Sequence, residues 1–299
     1  MAKRKIVSGI SELAVIVKNR RIEKKFLLMK IKTYIVDAFT DQPFKGNPAG
    51  VCIIENDIDD FMMLSIAKEL GLSETAFVKK NIKEDYYSIR YFSPKMEIPL
   101  CGHATMASSR VIFSIENGID KITFRNIQDI ELMITKSSDN DITMLFPIYD
   151  TEPATYSTKL TTALGIETVN NCEYNKETNI LILEIEDCEV LRNLKPNFEE
   201  LYKSIDTING VLITALSKQE NFDFESRYFW PWSGTNEDPV TGGTHTFLTK
   251  YWSKRIGKTK MNSFQCSERS GFMEVELIDD KNLTIKSNAK IIFEGNLII

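Results

Sequence analysis

The stretch MEIPLCGHATMASSR, Met96–Arg110, decides the fold because a strand-like segment changes there into a helical one. Cys101, Gly102 and His103 stand side by side at this change, and the chain contains 2 histidines in all. A histidine beside a thiol at a helix start has three chemical explanations. It is part of a Cys/His nucleophile, half of a metal site, or the edge of a helix start whose backbone amides hold an anion.

Composition narrows the class of protein. A chain of 299 residues with 42% hydrophobic and 26% charged residues is typical of a soluble enzyme or binding protein with one large domain or two of ordinary size. The formal net charge is -5, although the first thirty residues are strongly basic. The acidic remainder argues against a nucleic-acid partner and against an anionic membrane surface. The basic leader is either a weak transit-like segment or a dispensable extension, because a natural first strand follows Met29.

The cysteines and histidines bear on location and cofactors. The 5 cysteines are odd in number and form no CxxC pair, which favours a reducing compartment and predicts a cytoplasmic protein. His103 and His245 lie far apart in the sequence, and neither has a second ligand at helical spacing. Structural zinc sites draw on closely spaced ligand pairs, so we expect no metal site.

Hydrophobic patterning predicts many strands and few helices. Helices are expected in DFMMLSIAKELGL, GHATMASSRVIFSI and GGTHTFLTKYWSKRIG, with Gly71 and Gly257 ending the first and third. Strands are expected in the runs rich in β-branched and aromatic residues, at Thr33–Ala38, Tyr86–Phe92, Ile130–Thr135, Ile142–Phe146, Ile180–Ile185, Val211–Ala215, Asp223–Phe229, Phe272–Leu277 and Lys290–Phe293. The last two helices are preceded by YFSPKMEIPLCG and YFWPWSGTNEDPVTGG. Both segments have the same order of residue types: aromatic residues, a proline, an acidic residue, another proline and then glycine. This similarity indicates two related domains that meet near Phe146–Tyr156.

A glycine turn that leads into a helix can bind an anion. The first helical N–H groups have no partner within the helix, and the helix dipole places partial positive charge there. Gly102 opens one such helix, and Gly242 with Gly243 opens the other. The same glycines would also be explained by tight turns alone, and Asp238 before Pro239 by an ordinary helix start.

A third segment, GLSETAFVKK, offers an acid/base group. Glu74 stands there between small hydroxyl residues and the apolar run Ala76–Val78. Loss of water around a carboxylate raises its pKa, as a general acid/base at neutral pH requires, so we expect the pKa of Glu74 to be raised. An exposed loop glutamate is the ordinary alternative.

Five blocks in order resemble the phenazine-biosynthesis (PhzF-like) family, most closely its animal branch. They are VDAFTDQPFKGNPAGV (Val36–Val51), LSETAFV (Leu72–Val78), FSPKMEIPLCGHATMAS (Phe92–Ser108), SRYFWPWSGTNEDPVTGGTH (Ser226–His245) and QCSERSGFMEVEL (Gln265–Leu277). The resemblance implies an α+β fold of two similar diaminopimelate-epimerase-like domains. Each would be a mostly antiparallel sheet wrapped around a central helix, with the active site in the cleft between them. We predict a basic extension at 1–28, a first domain at 29–148 that 288–299 joins, and a second at 149–287.

The resemblance also implies cofactor-independent isomerase chemistry on a small, cyclic carboxylate, in a homodimer. Its acid/base glutamate falls on Glu74, and its other catalytic positions on His103 and Asp238. The implied substrate-binding residues are Asn47, Ser73, Gly102, Thr241, Gly242 and Gly243. Two departures leave the substrate open: Gly243 stands where many members have Ser, and Ser270 stands where the motif usually has Gly.

Two alternatives remain at this stage. Two-cysteine racemases place one thiol on each face of the substrate, and Cys101 matches one half of such a site. The corresponding turn, Asn236–His245, has no cysteine, so we expect Cys101 to be a buried small residue rather than a partner of His103. The second alternative is a non-catalytic binding protein that keeps the fold, because a fold does not by itself imply turnover.

Overall fold

The computed structural model describes residues 29–137 and 140–299, and Ile31–Asn296 form one compact unit. Residues 29–30 and 297–299 belong to a separate unit. The predictions for the basic extension at 1–28 lie outside the described residues. Within them, no helix is long and apolar enough to cross a membrane. The five cysteines are all free and buried.

The elements fall into two consecutive sets. The first set is β1 (Lys30–Ala38), β2 (Asn47–Ile53), α1 (Asp60–Leu70), β3 (Glu74–Asn81), β4 (Tyr86–Phe92), β5 (Glu97–Ile98), α2 (Gly102–Ile115), β6 (Lys121–Arg125), β7 (Glu131–Lys136) and β8 (Ile142–Pro147). The second set is β9 (Glu152–Pro153), α3 (Thr158–Leu164), β10 (Asn171–Asn175), β11 (Ile180–Glu184), α4 (Cys188–Asn193), α5 (Phe198–Ser204), β12 (Gly210–Leu216), β13 (Phe224–Trp230), a 3-10 turn (Pro231–Ser233), β14 (Thr235–Asp238), α6 (His245–Ile256), β15 (Lys260–Gln265), β16 (Gly271–Leu277), β17 (Asn282–Ser287) and β18 (Ala289–Ile298).

Strand pairing repeats between the two sets. From β1 through β2, β3, β4, β6 and β7 to β8, successive pairs are antiparallel, parallel, antiparallel, parallel, antiparallel and antiparallel. From β10 through β11, β12, β13, β15 and β16 to β17, the same order recurs. The short strands β5 and β14 each pair antiparallel with the strand before the parallel step. The two halves therefore share one topology, as the similar segments before the two helices predicted.

Each half has a buried helix after its short strand. Of the fourteen residues of α2, ten are buried, and α2 contacts β2, β3 and β8. Helix α6 buries seven of its first eight residues and contacts β15 and β16. A helix that is apolar or small on nearly every side belongs in a core, and the runs HATMASS and HTFLT meet that requirement. The α+β fold with a central helix in each half is therefore confirmed.

The two halves are joined through the sheet. Strand β17 pairs antiparallel with β8, from Asn282 opposite Pro147 to Ser287 opposite Ile142. Strand β18 pairs with β1 in the first half. The domain boundaries given above remain a prediction.

Candidate active site

Glu74 is the first residue of β3, and β2 places it at one end of the sheet. The parallel pairing sets Glu74 opposite Ala49, two positions after Asn47 at the start of β2. Helix α1 ends just before, at Gly71, whose φ of 64° is the left-handed conformation that glycine adopts without strain. The short turn from Gly71 to Ser73 thus fixes where the Glu74 side chain begins.

Glu74 contacts His103 at the start of α2. Its Oε2 lies 3.1 Å from His103 Nε2, and the two side chains are only 12% and 10% exposed. Ser73 Oγ is 3.4 Å from the same ring nitrogen. The structure therefore brings together three residues that the resemblance assigned to one site.

The charges of this pair differ from what the sequence predicted. Burial raises the pKa of Glu74, but the hydrogen bond and charge of His103, followed by the hydrogen bond of Ser73, outweigh it and hold the pKa below its usual value. The prediction of a raised pKa was wrong, because the apolar run could not reveal a cationic neighbour. Burial lowers the pKa of His103, yet Cys101 and Glu74 together raise it well above its usual value. The pair is therefore a buried carboxylate and imidazolium.

Cys101 also belongs to this cluster. It is the N-cap residue of α2, is 8% exposed as predicted, and its Sγ lies 3.3 Å from His103 Nδ1. The sequence predicted that Cys101 is not a catalytic partner of His103, and this stays a prediction. The contact between the two side chains was not foreseen. Burial raises the pKa of the Cys101 thiol, and the charge and hydrogen bond of His103 offset this effect only in part. One ligand atom each from Glu74, Cys101 and His103 lie within 4.8 Å of one another.

Asp238 forms a second cluster with residues distant in sequence. Its Oδ1 accepts a hydrogen bond of 2.8 Å from Asn47 Nδ2, and its Oδ2 accepts one of 2.5 Å from Thr241 Oγ1. Burial raises the pKa of Asp238 to about 6, while the charges of His103 and Glu74 act on it in opposite directions. Asp238 is therefore within electrostatic reach of the first cluster and can exchange a proton near neutral pH.

Gln265 supports this second cluster and was not predicted. It is fully buried, its Nε2 donates to the Asp238 backbone carbonyl at 2.7 Å, and its Oε1 accepts from Thr241 N–H at 2.9 Å. The sequence offered one indication of Gln265, since it is a polar residue at the end of β15 and begins one of the five blocks that resemble the family. Asn47 adds a bond to the Val240 carbonyl at 2.9 Å, so the loop 238–241 is held from two sides.

The glycines at the two helix starts have different surroundings. A Cβ on Gly102 would stand 3.4 Å from the Phe146 ring, and one on Gly242 would stand 2.9 Å from the Phe39 ring. A Cβ on Gly243 would meet nothing within 4 Å. Within the described residues, the N–H groups of Gly102, Gly242 and Gly243 have no hydrogen-bond acceptor, and neither helix has a side-chain cap. Gly102 at the start of α2, and Gly242 and Gly243 just before α6, can therefore donate to an anion.

His245 occupies the corresponding helix start in the second half but has other partners. Its Nε2 lies 2.6 Å from Ser263 Oγ, and its Nδ1 lies 3.0 Å from the Thr241 carbonyl. Burial lowers the pKa of His245 to about 4, so the ring is neutral, with Nδ1 donating to the carbonyl and Nε2 accepting from the hydroxyl. This fully buried histidine supports the loop and cannot reach a substrate.

These features define an α+β protein with a buried glutamate–histidine pair beside a helix start that has an unbonded N–H group. A family model described as phenazine biosynthesis-like protein matches residues 36–295, and the chain belongs to this family. The human phenazine biosynthesis-like domain-containing protein is 38% identical over 288 residues, which cover 90% of this chain and 99% of that one.

Two further proteins extend the comparison. An uncharacterized isomerase of Halalkalibacterium halodurans is 37% identical over 262 residues, which cover 85% of this chain and 94% of that protein. The crystal structure of a PhzF family protein from Enterococcus faecalis superposes with a TM-score of 0.84 at 34% identity, covering 91% of this chain and 100% of that one. The resemblance inferred from five sequence blocks is therefore confirmed.

Proposed function

We propose that the protein is a cofactor-independent isomerase that moves a proton within a small, cyclic, carboxylate-bearing metabolite. The observation that carries this proposal is the buried pair of Glu74 and His103, with 3.1 Å between Oε2 and Nε2, beside an uncapped helix start. The relative named as an isomerase supports the reaction class.

In this proposal Glu74 transfers the proton. Its lowered pKa keeps the carboxylate ionised, so it can accept a proton from one carbon and return it to another. The His103 imidazolium stays within hydrogen-bond distance and balances charge as it moves from Glu74 to the substrate. The free N–H of Gly102 donates to the substrate carboxylate or to the enolate that forms.

Asp238 binds a polar group of the substrate. Asn47 and Thr241 hold its carboxylate, and a pKa of about 6 allows it to be a donor or an acceptor near neutral pH. The free N–H groups of Gly242 and Gly243 give the second helix start the same capacity for an anion. The open space at Gly243 leaves room that a serine side chain would take.

Solvent deuterium incorporation tests this function. The protein is incubated in D2O with a panel of cyclic and β-hydroxy carboxylates, and exchange at carbon is followed by NMR. The change Glu74→Gln keeps the size of the side chain and removes the base, so exchange should fall by at least about 100-fold, the range of general acid/base catalysis. Glu116→Gln, on the surface next to Lys80, is the matched control and should exchange normally.

Two outcomes would contradict the proposal. Exchange that is unaffected by Glu74→Gln would exclude Glu74 as the base. Carboxylates that bind without exchange would favour a non-catalytic binding protein. The homodimer and the cytoplasmic location remain predictions, and light scattering of the purified protein tests the first.

A further inference from the structure

Arg269, between β15 and β16, is hydrogen-bonded to the loop between β1 and β2. Its Nε donates to the Gly46 carbonyl at 2.9 Å, and its Nη2 donates to the Lys45 carbonyl at 3.0 Å. The same Nη2 lies 2.7 Å from Oδ1 of Asp37, which is fully buried. The other oxygen of Asp37 accepts from the Phe44 N–H at 2.7 Å. One guanidinium and one buried carboxylate therefore fix three consecutive residues of this loop.

Asn47 follows these three residues directly and is the first residue of β2. The next residue, Pro48, has no N–H, so it cannot donate to a neighbouring strand. The start of β2 therefore has less support from the sheet than an ordinary central strand. The hydrogen bonds of Arg269 supply support at this point, where the Asn47 amide has to reach Asp238 Oδ1 at 2.8 Å.

The segment 267–270, which contains Arg269, also holds the other partner of that hydrogen bond. Ser267 Oγ donates to the carbonyl of Pro239, the residue after Asp238, at 2.5 Å. The two sides of the contact come from different halves of the fold and are far apart in sequence. Both are therefore held against the same four residues, which is how a fixed distance between them can be maintained.

We propose that Arg269 is a positioning residue of the candidate active site, which fixes the loop before Asn47 and so places the Asn47 amide on the Asp238 carboxylate. Arginine is suited to this task because its planar fork donates in several fixed directions at once. A lysine would keep the positive charge, but its single ammonium group cannot reproduce the fork.

The pKa of Asp238 reports on this placement. Burial raises it to about 6, and the hydrogen bond of Asn47 is one of the effects that lower it. Loss of that bond should therefore raise the pKa further. The titratable, charged or donor groups that interact with Asp238 are His103, Thr241, Glu74, Asn47 and Tyr228. Among the described residues Arg269 is not one of these groups, so its replacement should act on Asp238 only through the loop.

Proton exchange should respond as well, although this consequence rests on the proposed function. Misplacing a substrate-binding group by about 1 Å can cost about 100-fold in rate. Arg269→Lys should therefore lower deuterium exchange by about 10- to 100-fold. Absence of exchange in the natural protein would count against the proposed function alone, because the pKa of Asp238 is measured without substrate.

Carbon-13 NMR of the substrate-free full chain, labelled at the aspartate carboxyl groups, measures this pKa, and Asp238→Asn identifies the signal. Arg269→Lys keeps a cation beside Asp37, and we expect it to raise the pKa of Asp238. Asn47→Ala should raise the pKa too. If Arg269 acts through Asn47, adding Arg269→Lys to Asn47→Ala should cause no further rise.

Arg192→Lys is the matched control. The Arg192 side chain is 26% exposed and pairs with the fully buried Glu225, just as Arg269 at 31% pairs with the fully buried Asp37. This variant should leave the pKa of Asp238 unchanged. An unchanged pKa in Arg269→Lys, or an equal rise with and without the Asn47 side chain, would overturn the positioning role. Circular dichroism of each variant confirms that it is folded.

Discussion

The Oε2 atom of Glu74 lies 3.1 Å from Nε2 of His103, so one hydrogen-bonded charge pair joins the first residue of β3 to the second residue of α2. Each group sets the charge of the other. Burial alone would favour a neutral acid and a neutral ring, but His103 lowers the pKa of Glu74, and Cys101 together with Glu74 raises the pKa of His103. The chemistry proposed for the site depends on this mutual effect.

Replacing His103 should change the pH dependence of proton exchange. In His103→Gln, burial acts on Glu74 without the opposing cation, so the pKa of Glu74 rises. A base is active when it is deprotonated, and the ascending limb of the exchange rate against pH should therefore move to higher pH. Deuterium exchange measured from pH 4 to pH 9 checks this, and a limb in the same place would show that His103 does not tune Glu74.

Adjacent glycines should respond very differently to a methyl group. In Gly242→Ala the new Cβ would stand 2.9 Å from the ring of Phe39, which is fully buried and cannot move freely. Overpacking of this kind costs about 1–3 kcal/mol of unfolding free energy. In Gly243→Ala the Cβ enters open space, so the stability should be nearly unchanged. Urea unfolding of the two variants tests this contrast, which equal losses would contradict.

The buried His245 should make the protein less stable in acid. Its pKa is about 4 in the folded protein against 6.5 when unfolded, so the unfolded chain binds more protons between these values. The contribution of His245 to the unfolding free energy is therefore fully present above pH 6.5. It decreases by about 3 kcal/mol as the pH falls towards 4. The measurement is the difference in unfolding free energy between the natural protein and His245→Asn at pH 7 and pH 4. A pH-independent difference would contradict the assignment.

Asp238 should show the opposite dependence in the same range. Its pKa is about 6 when folded and 3.8 when unfolded, so the folded protein binds the proton more tightly. This contribution is present at low pH and is lost as pH rises from about 4 to 6, again by about 3 kcal/mol. Asp238→Asn should therefore remove a stabilisation at pH 4 that is absent at pH 7. The pH dependences of His245 and Asp238 oppose each other, so the unfolding free energy of the natural protein alone would reveal neither. The variants are therefore needed to separate them.

Replacing Ser270 by glycine should stabilise the folded protein. Its φ of 54° is in the left-handed region, where a side chain is strained and glycine is not. Ser270→Gly keeps the N–H that donates to Ser267 Oγ and should raise the unfolding free energy by up to about 1 kcal/mol. Ser88→Gly, in the extended backbone of β4, is the control and should lower it. A loss of stability in Ser270→Gly would contradict this account.

Helix α1 and the two central helices, α2 and α6, are the elements that the sequence predicts best. The run GHATMASSRVIFSI forms α2 over Gly102–Ile115, and Gly71 and Gly257 end their helices in the left-handed conformation, as predicted. Seven of the nine predicted strands match observed ones to within one residue at each end, and the other two, β1 and β18, are longer than predicted. These elements have strong periodicity or a glycine stop, which are properties of the local sequence.

Other elements depend on tertiary contacts and were missed. Strand β2 has the sequence NPAGVCI, and its proline, alanine and glycine are poor strand formers. It forms because β1 and β3 pair on both sides of it. The helices α3, α4 and α5 have only six or seven residues, too few to show a helical period.

The site was only partly predictable for the same reason. Residue types and family motifs indicated Glu74, His103 and Asp238, but no local pattern shows that Asn47 reaches Asp238 across 191 positions. The contact between Cys101 and His103 and the support from Gln265 likewise needed coordinates. Direct contacts between distant segments also set the pKa values, so their directions could not be read from composition.

The different partners of His103 and His245 have a stereochemical consequence. One histidine meets a carboxylate, and the other is enclosed by a hydroxyl and a carbonyl, although both stand at matching helix starts. If one acid/base pair performs every transfer, the proton leaves and returns through the same face of the substrate. The product is then a single enantiomer, and a hydrogen isotope placed at the first carbon can travel to the second without mixing completely with solvent.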